Sequence, residues 1–229
     1  IGAVATIDVE FREYWGGIFA AHPWLAGPWE SYLGFSARGG GASGEHSHAA
    51  NLWQHFAHMA GSGCIVAVDA MLEFVRDDHV DYDRLCLMNF RTERGLIGRC
   101  VQDVVTQPPR KWARIQGAEG YLEWLCGAEP GVDLVRGQLS SGALVDERIS
   151  KTRPDDFIEE LRHIAEALAS NPAASPIALE RGIDTMRVIA AAHRSAETGR
   201  RVETDFGLDP RATNGRVGLM PVSEGELRT

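Results

Sequence analysis

Between Arg38 and His58 the chain places four histidines and the carboxylate of Glu45 directly behind the triplet Gly39-Gly40-Gly41. Imidazole gains and loses its proton near neutral pH, and glycine backbone lets a ligand come close. Together they point to proton transfer at a small molecule. At 100° per residue the segment Glu45 to Ala60 follows a helical period. Ala49, Leu52, Trp53, Phe56, Met59 and Ala60 fall on one arc and are expected to be core, while His48, Asn51, His55 and His58 share another. Ser43 is positioned to cap this helix, and Glu45 in its first turn suits the positive end of the dipole. His48, beside the first N–H groups, is well placed to meet an oxygen-bearing ligand. His55 and His58 sit two and three turns further on and are read as structural. A metal-dependent hydrolase built on Glu45, His46 and His48 is the competing chemistry. Residues two apart on a helix diverge by about 200°, so that pair cannot share an ion on regular helix, and no metal is expected.

The elements that must hold this segment follow from periodicity. Ile1 to Phe11 alternates as a strand, and Arg12 to Gly34 is a long aromatic-rich excursion carrying Trp15, His22 and Trp24, which serves either as a substrate wall or as packing over the helix. Cys64 to Val75, Tyr82 to Arg91, Leu96 to Thr106, Arg110 to Gln116, Tyr121 to Cys126, Val132 to Gln138 and Ala143 to Ile149 read as strands joined by short turns. Short connections favour antiparallel neighbours, which predicts a meandering sheet. Arg110, Trp112, Arg114 and Gln116 alternate onto one strand face, solvated or facing a subunit. Asp77, Asp78, Asp81 and Asp83 read as an acidic turn. Two helices follow. One is opened by a Thr152–Asp155 capping box, with the stripe Phe157, Leu161, Ile164 and Leu168; the other starts near Ser175-Pro176, with the stripe Leu179, Ile183, Met186, Ala190 and His193, and stops at Gly199. From Asp205 the periodicity disappears, which suggests a tail over 205–229.

Composition narrows the function. The chain has 229 residues, 44% of them hydrophobic, enough to bury a proper core. Its net charge of -9 argues against nucleic acid, and Lys111 and Lys151 are the only lysines. No apolar run reaches the roughly 18 residues of a membrane helix and no leader pattern opens the chain, so a cytoplasmic protein without membrane contact is expected. Cys64, Cys86, Cys100 and Cys126 stand singly and read as small buried hydrophobes. Gly39, Gly41 and Gly44 satisfy the dinucleotide pattern G-x-G-x-x-G, but no apolar strand precedes them and the chain beyond Asp69 continues into hairpins, which argues against a Rossmann site here.

Taken in order, the opening Ile1-Gly2, Gly39-Gly40-Gly41, Arg114 to Gly120 (RIQGAEG) and Ser195 to Val202 (SAETGRRV) resemble the C-terminal domain of the glucose-fructose oxidoreductase, inositol dehydrogenase and MocA family. The resemblance implies an α+β fold over residues 1–204: a large, mostly antiparallel open sheet with helices packed on one face. It implies a nicotinamide cofactor, NAD or NADP, bound mainly by an N-terminal Rossmann domain that would precede Ile1. It also implies a small polyhydroxylated substrate and a homo-oligomer formed through the open sheet. In such proteins a His follows the glycines on the helix, with an acid four residues before it and an Asp three after. His48 takes the proton-transferring place, Asn51 stands where the Asp is usual and would orient a hydroxyl, and Glu45 is one residue later than the expected acid. Arg38, Trp15, His22 and Trp24 would line the substrate, and Gly40 and Gly41 would lie against the cofactor. The implied reaction is hydride exchange at a secondary alcohol or ketone of a sugar, sugar derivative or cyclitol. The alternative is a non-enzymatic oligomerisation or ligand-binding module of the same fold.

Overall fold

The computed structural model describes residues 1–172 and 175–204, so the tail expected over 205–229 lies outside the described residues. In chain order its elements are β1 (Val4–Arg12), α1 (Trp15–Ala21), α2 (Gly41–Glu45), α3 (His48–Met59), β2 (Ile65–Arg76), β3 (Asp81–Thr92), β4 (Ile97–Asp103), β5 (Arg110–Gly117), β6 (Gly120–Glu129), β7 (Val132–Leu139), β8 (Leu144–Ser150), α4 (Arg153–Ala169), α5 (Leu179–Thr198) and β9 (Val202–Glu203). Every strand joins one sheet in the order β8-β7-β6-β5-β1-β4-β3-β2-β9. This is the expected α+β class with an open, mostly antiparallel sheet.

The plain meander needs one correction. The first strand lies in the middle of the sheet, antiparallel to β5 but parallel to β4, with Asp8 opposite Arg99. A parallel pair needs a crossover, and here everything from α1 through the β2–β3 hairpin supplies it. Nor is the aromatic excursion irregular throughout: it forms α1 and then three short 3₁₀ turns at Pro28–Glu30, Tyr32–Gly34 and Ser36–Arg38.

The core lies between the inner sheet face and two helices. Ile7 and Val9 of β1 are fully buried, and α3 covers them with Ala49, Ala50, Trp53 and Ala57. Small residues let the helix come close, so Trp53 reaches the strand and donates its indole N–H to the Ile7 carbonyl at 2.8 Å. Its ring meets Phe90 edge-on at 5.1 Å. The expected core arc ends early, for Met59 and Ala60 are exposed at the helix end.

The closing helices depart further from their sequence patterns. In α5 the buried face is Thr185, Val188, Ala191, Ala192 and Ser195, and not the stripe of larger residues, because the close approach to β2 favours small side chains. Ser195 Oγ accepts the Ala70 N–H at 2.9 Å, so the helix satisfies part of the strand edge that β9 leaves open. Leu179, Ile183 and Met186 remain exposed. In α4 the capping box is present and Thr152 N–H meets Asp155 at 2.6 Å, yet no residue of the helix is buried and Phe157, Leu161, Ile164 and Leu168 all face outward. Gly199 ends α5 at φ 61°, the left-handed cap its position suggests. Among the described residues the opposite sheet face carries no helix. Met71, Leu87 and Ile97 are exposed there beside the Asp8–Arg99 ion pair of 2.9 Å.

Trp53 fills the largest fully buried volume. Trp53→Ala is therefore expected to cost about 3–5 kcal/mol of stability, read as a lower urea midpoint in equilibrium unfolding.

Candidate functional site

The glycine triplet is held by a buried carboxylate. Asp83 lies on β3 with no exposed surface, so it is no part of the acidic turn at Asp77 to Asp81. It accepts the Ser43 N–H at 2.7 Å, the Ser43 hydroxyl at 2.9 Å and the Ser36 hydroxyl at 3.1 Å. His193 Nε2 stands 2.8 Å from the same Ser43 oxygen and 3.9 Å from Asp83. Burial pushes the Asp83 carboxyl above its ordinary range while these hydrogen bonds pull it back. Ser43 is thus not a helix cap. It is an internal pin inside α2, and His193 belongs to the same network. Gly41, at φ 81°, would bring a Cβ within 2.2 Å of Asp83 Oδ1, and Gly40 would bring one within 2.2 Å of the Tyr32 carbonyl oxygen. Both glycines are buried, and the space a cofactor phosphate would need is taken by the protein's own oxygens. Gly40 and Gly41 serve packing, and the residues here do not fit a dinucleotide pyrophosphate.

The expected single helix is broken at His46-Ser47, between α2 and α3. His46 turns inward and is 3% exposed; its carbonyl accepts the Gln102 amide, and its Nε2 has no partner among the described residues. Burial lowers its pKa below 6.5, with Glu13 and Glu45 pulling it up and Lys111 and His48 pushing it down. His48 opens α3 and is exposed. Phe11, at the end of β1, lies 6.4 Å from the His48 ring and 6.1 Å from Trp124. Lys111 at the start of β5 sits 5.9 Å over Phe11 and pairs with Glu13 at 3.1 Å. Glu45 accepts the Tyr32 hydroxyl at 2.8 Å, and burial together with this carboxylate pushes Tyr32 up to about 12. An exposed imidazole therefore stands at the rim of the inner sheet face with an aromatic floor, an ammonium–carboxylate pair and a phenol–carboxylate pair around it. Phe11, Glu13, Tyr32, Lys111 and Trp124 were not singled out from the sequence. The scarcity of lysine is the one feature that marked Lys111.

The remaining candidates separate. Trp15 is 6% exposed between Phe19 and Tyr82, at 5.3 and 5.1 Å, which makes it a core residue and no substrate wall. His22 bonds the Ile18 carbonyl at 2.7 Å and meets Trp24 edge-on at 5.1 Å, with Trp24 71% exposed. Arg38 is exposed and lies 4.4 Å over Phe35. Asn51 points toward α5, donating its amide to Thr185 Oγ1 at 3.1 Å. It lines a polar cavity of about 260 Å³ between α3 and α5, together with Gln54, His55, His58, Ser175 and Arg181. Beside that cavity His58, Cys64 and Asp184 bring one donor atom each within 4.8 Å of one another, so Cys64 is not the inert hydrophobe expected. The Arg181 guanidinium already occupies this cluster, at 2.8 Å from His58 Nε2 and 3.7 Å from Asp184, and a metal ion would have to displace it.

No protein-family profile and no curated protein sequence matches the chain. Solved oxidoreductase structures do share its fold. An aldose-aldose oxidoreductase from Caulobacter crescentus, solved with glycerol, superposes with a TM-score of 0.66 at 19% identity over 89% of this chain and 56% of that one. GenD2 from gentamicin A biosynthesis, in complex with NAD, gives 0.62 at 22% over 89% and 56%. Levoglucosan dehydrogenase, in complex with NADH and levoglucosan, gives 0.66 at 16% over 89% and 59%. The chain thus spans less than two thirds of the length of these proteins, and the resemblance drawn from the motif order holds at the level of fold.

His46 couples the stability of this region to pH. The unfolded imidazole protonates near 6.5, whereas the folded one resists until lower pH, so its contribution is whole above that value and is lost as pH falls through it. As pH falls from about 7.5 to about 5 the wild type is expected to lose more stability than His46→Gln, measured by urea unfolding followed through tryptophan fluorescence.

Proposed function

We propose, from the fold shared with those oxidoreductases, that this chain is the substrate-binding and catalytic part of an NAD(P)-dependent oxidoreductase acting on a secondary alcohol or ketone of a sugar, sugar derivative or cyclitol. The observation that carries this is the exposed His48 imidazole at the mouth of α3, set over Phe11 and beside the Glu13–Lys111 pair. A nicotinamide, when bound, supplies the hydride acceptor or donor. Since Gly40 and Gly41 are filled by packing, the dinucleotide is assigned to a domain beyond this chain, in keeping with the part of each neighbour that the chain does not span. His48 takes the proton of the reacting hydroxyl, and in reverse returns it to the carbonyl oxygen. Lys111 stabilises negative charge developing on that oxygen, with Glu13 fixing the ammonium. Glu45, held by Tyr32, adds an acceptor at the rim. The faces of Phe11 and Trp124 suit the C–H faces of a sugar ring. In the full-length protein, His48→Gln is expected to lower kcat by about 10² to 10⁴-fold, followed as NAD(P)H absorbance over a panel of sugars and polyols. Unchanged turnover would remove the catalytic reading.

A second reading, an assembly role without chemistry, is favoured by the uncovered sheet face. Met71 and Leu87 are register partners there, exposed side by side next to Arg99. An isologous contact through this face would bury them. Sedimentation is expected to show a dimer that Met71→Lys with Leu87→Lys converts to monomer; a wild-type monomer at tens of micromolar would exclude the interface.

A further inference from the structure

At the far end of α3 from His48, about 15 Å along the helix, an imidazole, a thiol and a carboxylate meet. His58 lies in the last turn of α3, Cys64 directly precedes β2 and Asp184 lies on α5; they bring one donor atom each within 4.8 Å of one another. The turn from α3 to β2 runs through Gly61 and Gly63 at φ 69° and 78°, left-handed positions in which other residues are strained. Glu93 then holds Cys64 from both sides: its carboxylate accepts the Cys64 N–H at 3.1 Å, and its own N–H donates to the Cys64 carbonyl at 3.0 Å. Asp184 is oriented as well. Arg187 donates to its Oδ1 at 3.2 Å, which leaves Oδ2 facing the Cys64 thiol at 3.7 Å.

Imidazole, thiolate and carboxylate together are a donor set for zinc, and in a tetrahedral site such atoms stand about 3.3–3.8 Å apart. Cys64 Sγ and Asp184 Oδ2 already keep that separation. A positive charge is drawn to the same place: Arg181 donates to His58 Nε2 at 2.8 Å and lies 3.7 Å from Asp184 Oδ2. Its side chain is 39% exposed and its contact with the carboxylate is long. A pair of that kind contributes little, so the arm can swing into solvent when an ion arrives. The negative end of the α3 dipole also favours a cation at His58.

We propose that His58, Cys64 and Asp184 form a zinc site that ties the end of α3, the start of β2 and α5 together, with a water in the fourth place. Cys64 binds as thiolate: its S–H bond breaks, the sulfur lone pair forms the bond to zinc, and the proton leaves to solvent. The neutral His58 ring and the Asp184 carboxylate supply the other two bonds. The site is separate from the reaction proposed above and stands or falls without it.

The test is calorimetric titration of the untagged full-length protein, stripped with a chelator and kept under a phosphine reductant, with zinc chloride near neutral pH. One ion per chain is expected, at micromolar or tighter affinity, with release of about one proton read from buffers of different ionisation heat. Cys64→Ala and Asp184→Asn each weaken binding at least about tenfold. Arg181→Gln, which removes the competing charge, tightens it about two- to fivefold. His48→Gln leaves it unchanged. Cobalt(II) in the same place gives a thiolate charge-transfer band in the wild type, a reading that needs no variant to fold. No binding, wild-type affinity in Cys64→Ala, weaker binding in Arg181→Gln, or a cobalt complex without the thiolate band overturns the proposal.

Discussion

The whole arrangement depends on one buried negative group. A carboxylate taken out of water costs several kcal/mol unless its oxygens are bonded, and Asp83 recovers that cost only by drawing in the Ser43 N–H and two serine hydroxyls. Those donors come from the 3₁₀ turn at Ser36 and from α2, while His193 of α5 closes on the same serine. Three parts of the chain are thereby fixed to one point on β3. Glycine at 41 is the sequence's concession to that closeness, since any side chain there would collide with Asp83 Oδ1.

Once α2 is fixed, the fates of its two neighbouring imidazoles are decided. The helix cannot run on unbroken into α3, and the two-residue break between them sends His46 under the surface and leaves His48 above it. One ring is kept neutral by burial, the other meets solvent at the end of β1. Glu45 is drawn to Tyr32 and Lys111 to Glu13, so the charged groups around His48 are already partnered and oriented before any ligand arrives. Such preorganisation is what a site for charge development requires.

What could be read from the sequence was local. Period-2 alternation located β2 through β8 to within a few residues, the Thr152–Asp155 pair marked the start of α4, and Gly199 marked the end of α5. The open sheet followed from short turns and from the order of motifs. Missing were the features set by residues distant in sequence. The parallel pairing of β1 with β4 leaves no mark in either strand. Asp83 looks like any acid beside Asp77 and Asp81 until the turn folds over it. The buried side of α5 is chosen by how closely β2 approaches, which rewards Ala191, Ala192 and Ser195 over the bulkier stripe that periodicity favours. At the site, His48 was legible because glycine and histidine stand together in the chain, whereas Glu13, just beyond β1, Lys111 of β5 and Trp124 of β6 converge from distant parts of it.

The central position of β1 also bears on how the chain reaches this structure. Asp8 and Arg99 are partners across the parallel pair yet 91 residues apart. Closing a loop of that size costs about 4 kcal/mol of chain entropy before any contact repays it. The β2–β3 hairpin, closed by a short turn, bears almost none of this cost. On a ribosome the first strand emerges early and must wait, unpaired, until β4 and β5 have been synthesised on either side of its future place. Assembly of the middle of the sheet is then a late, high-contact-order step, and the imidazole rim at the end of β1 takes shape only when that step is complete.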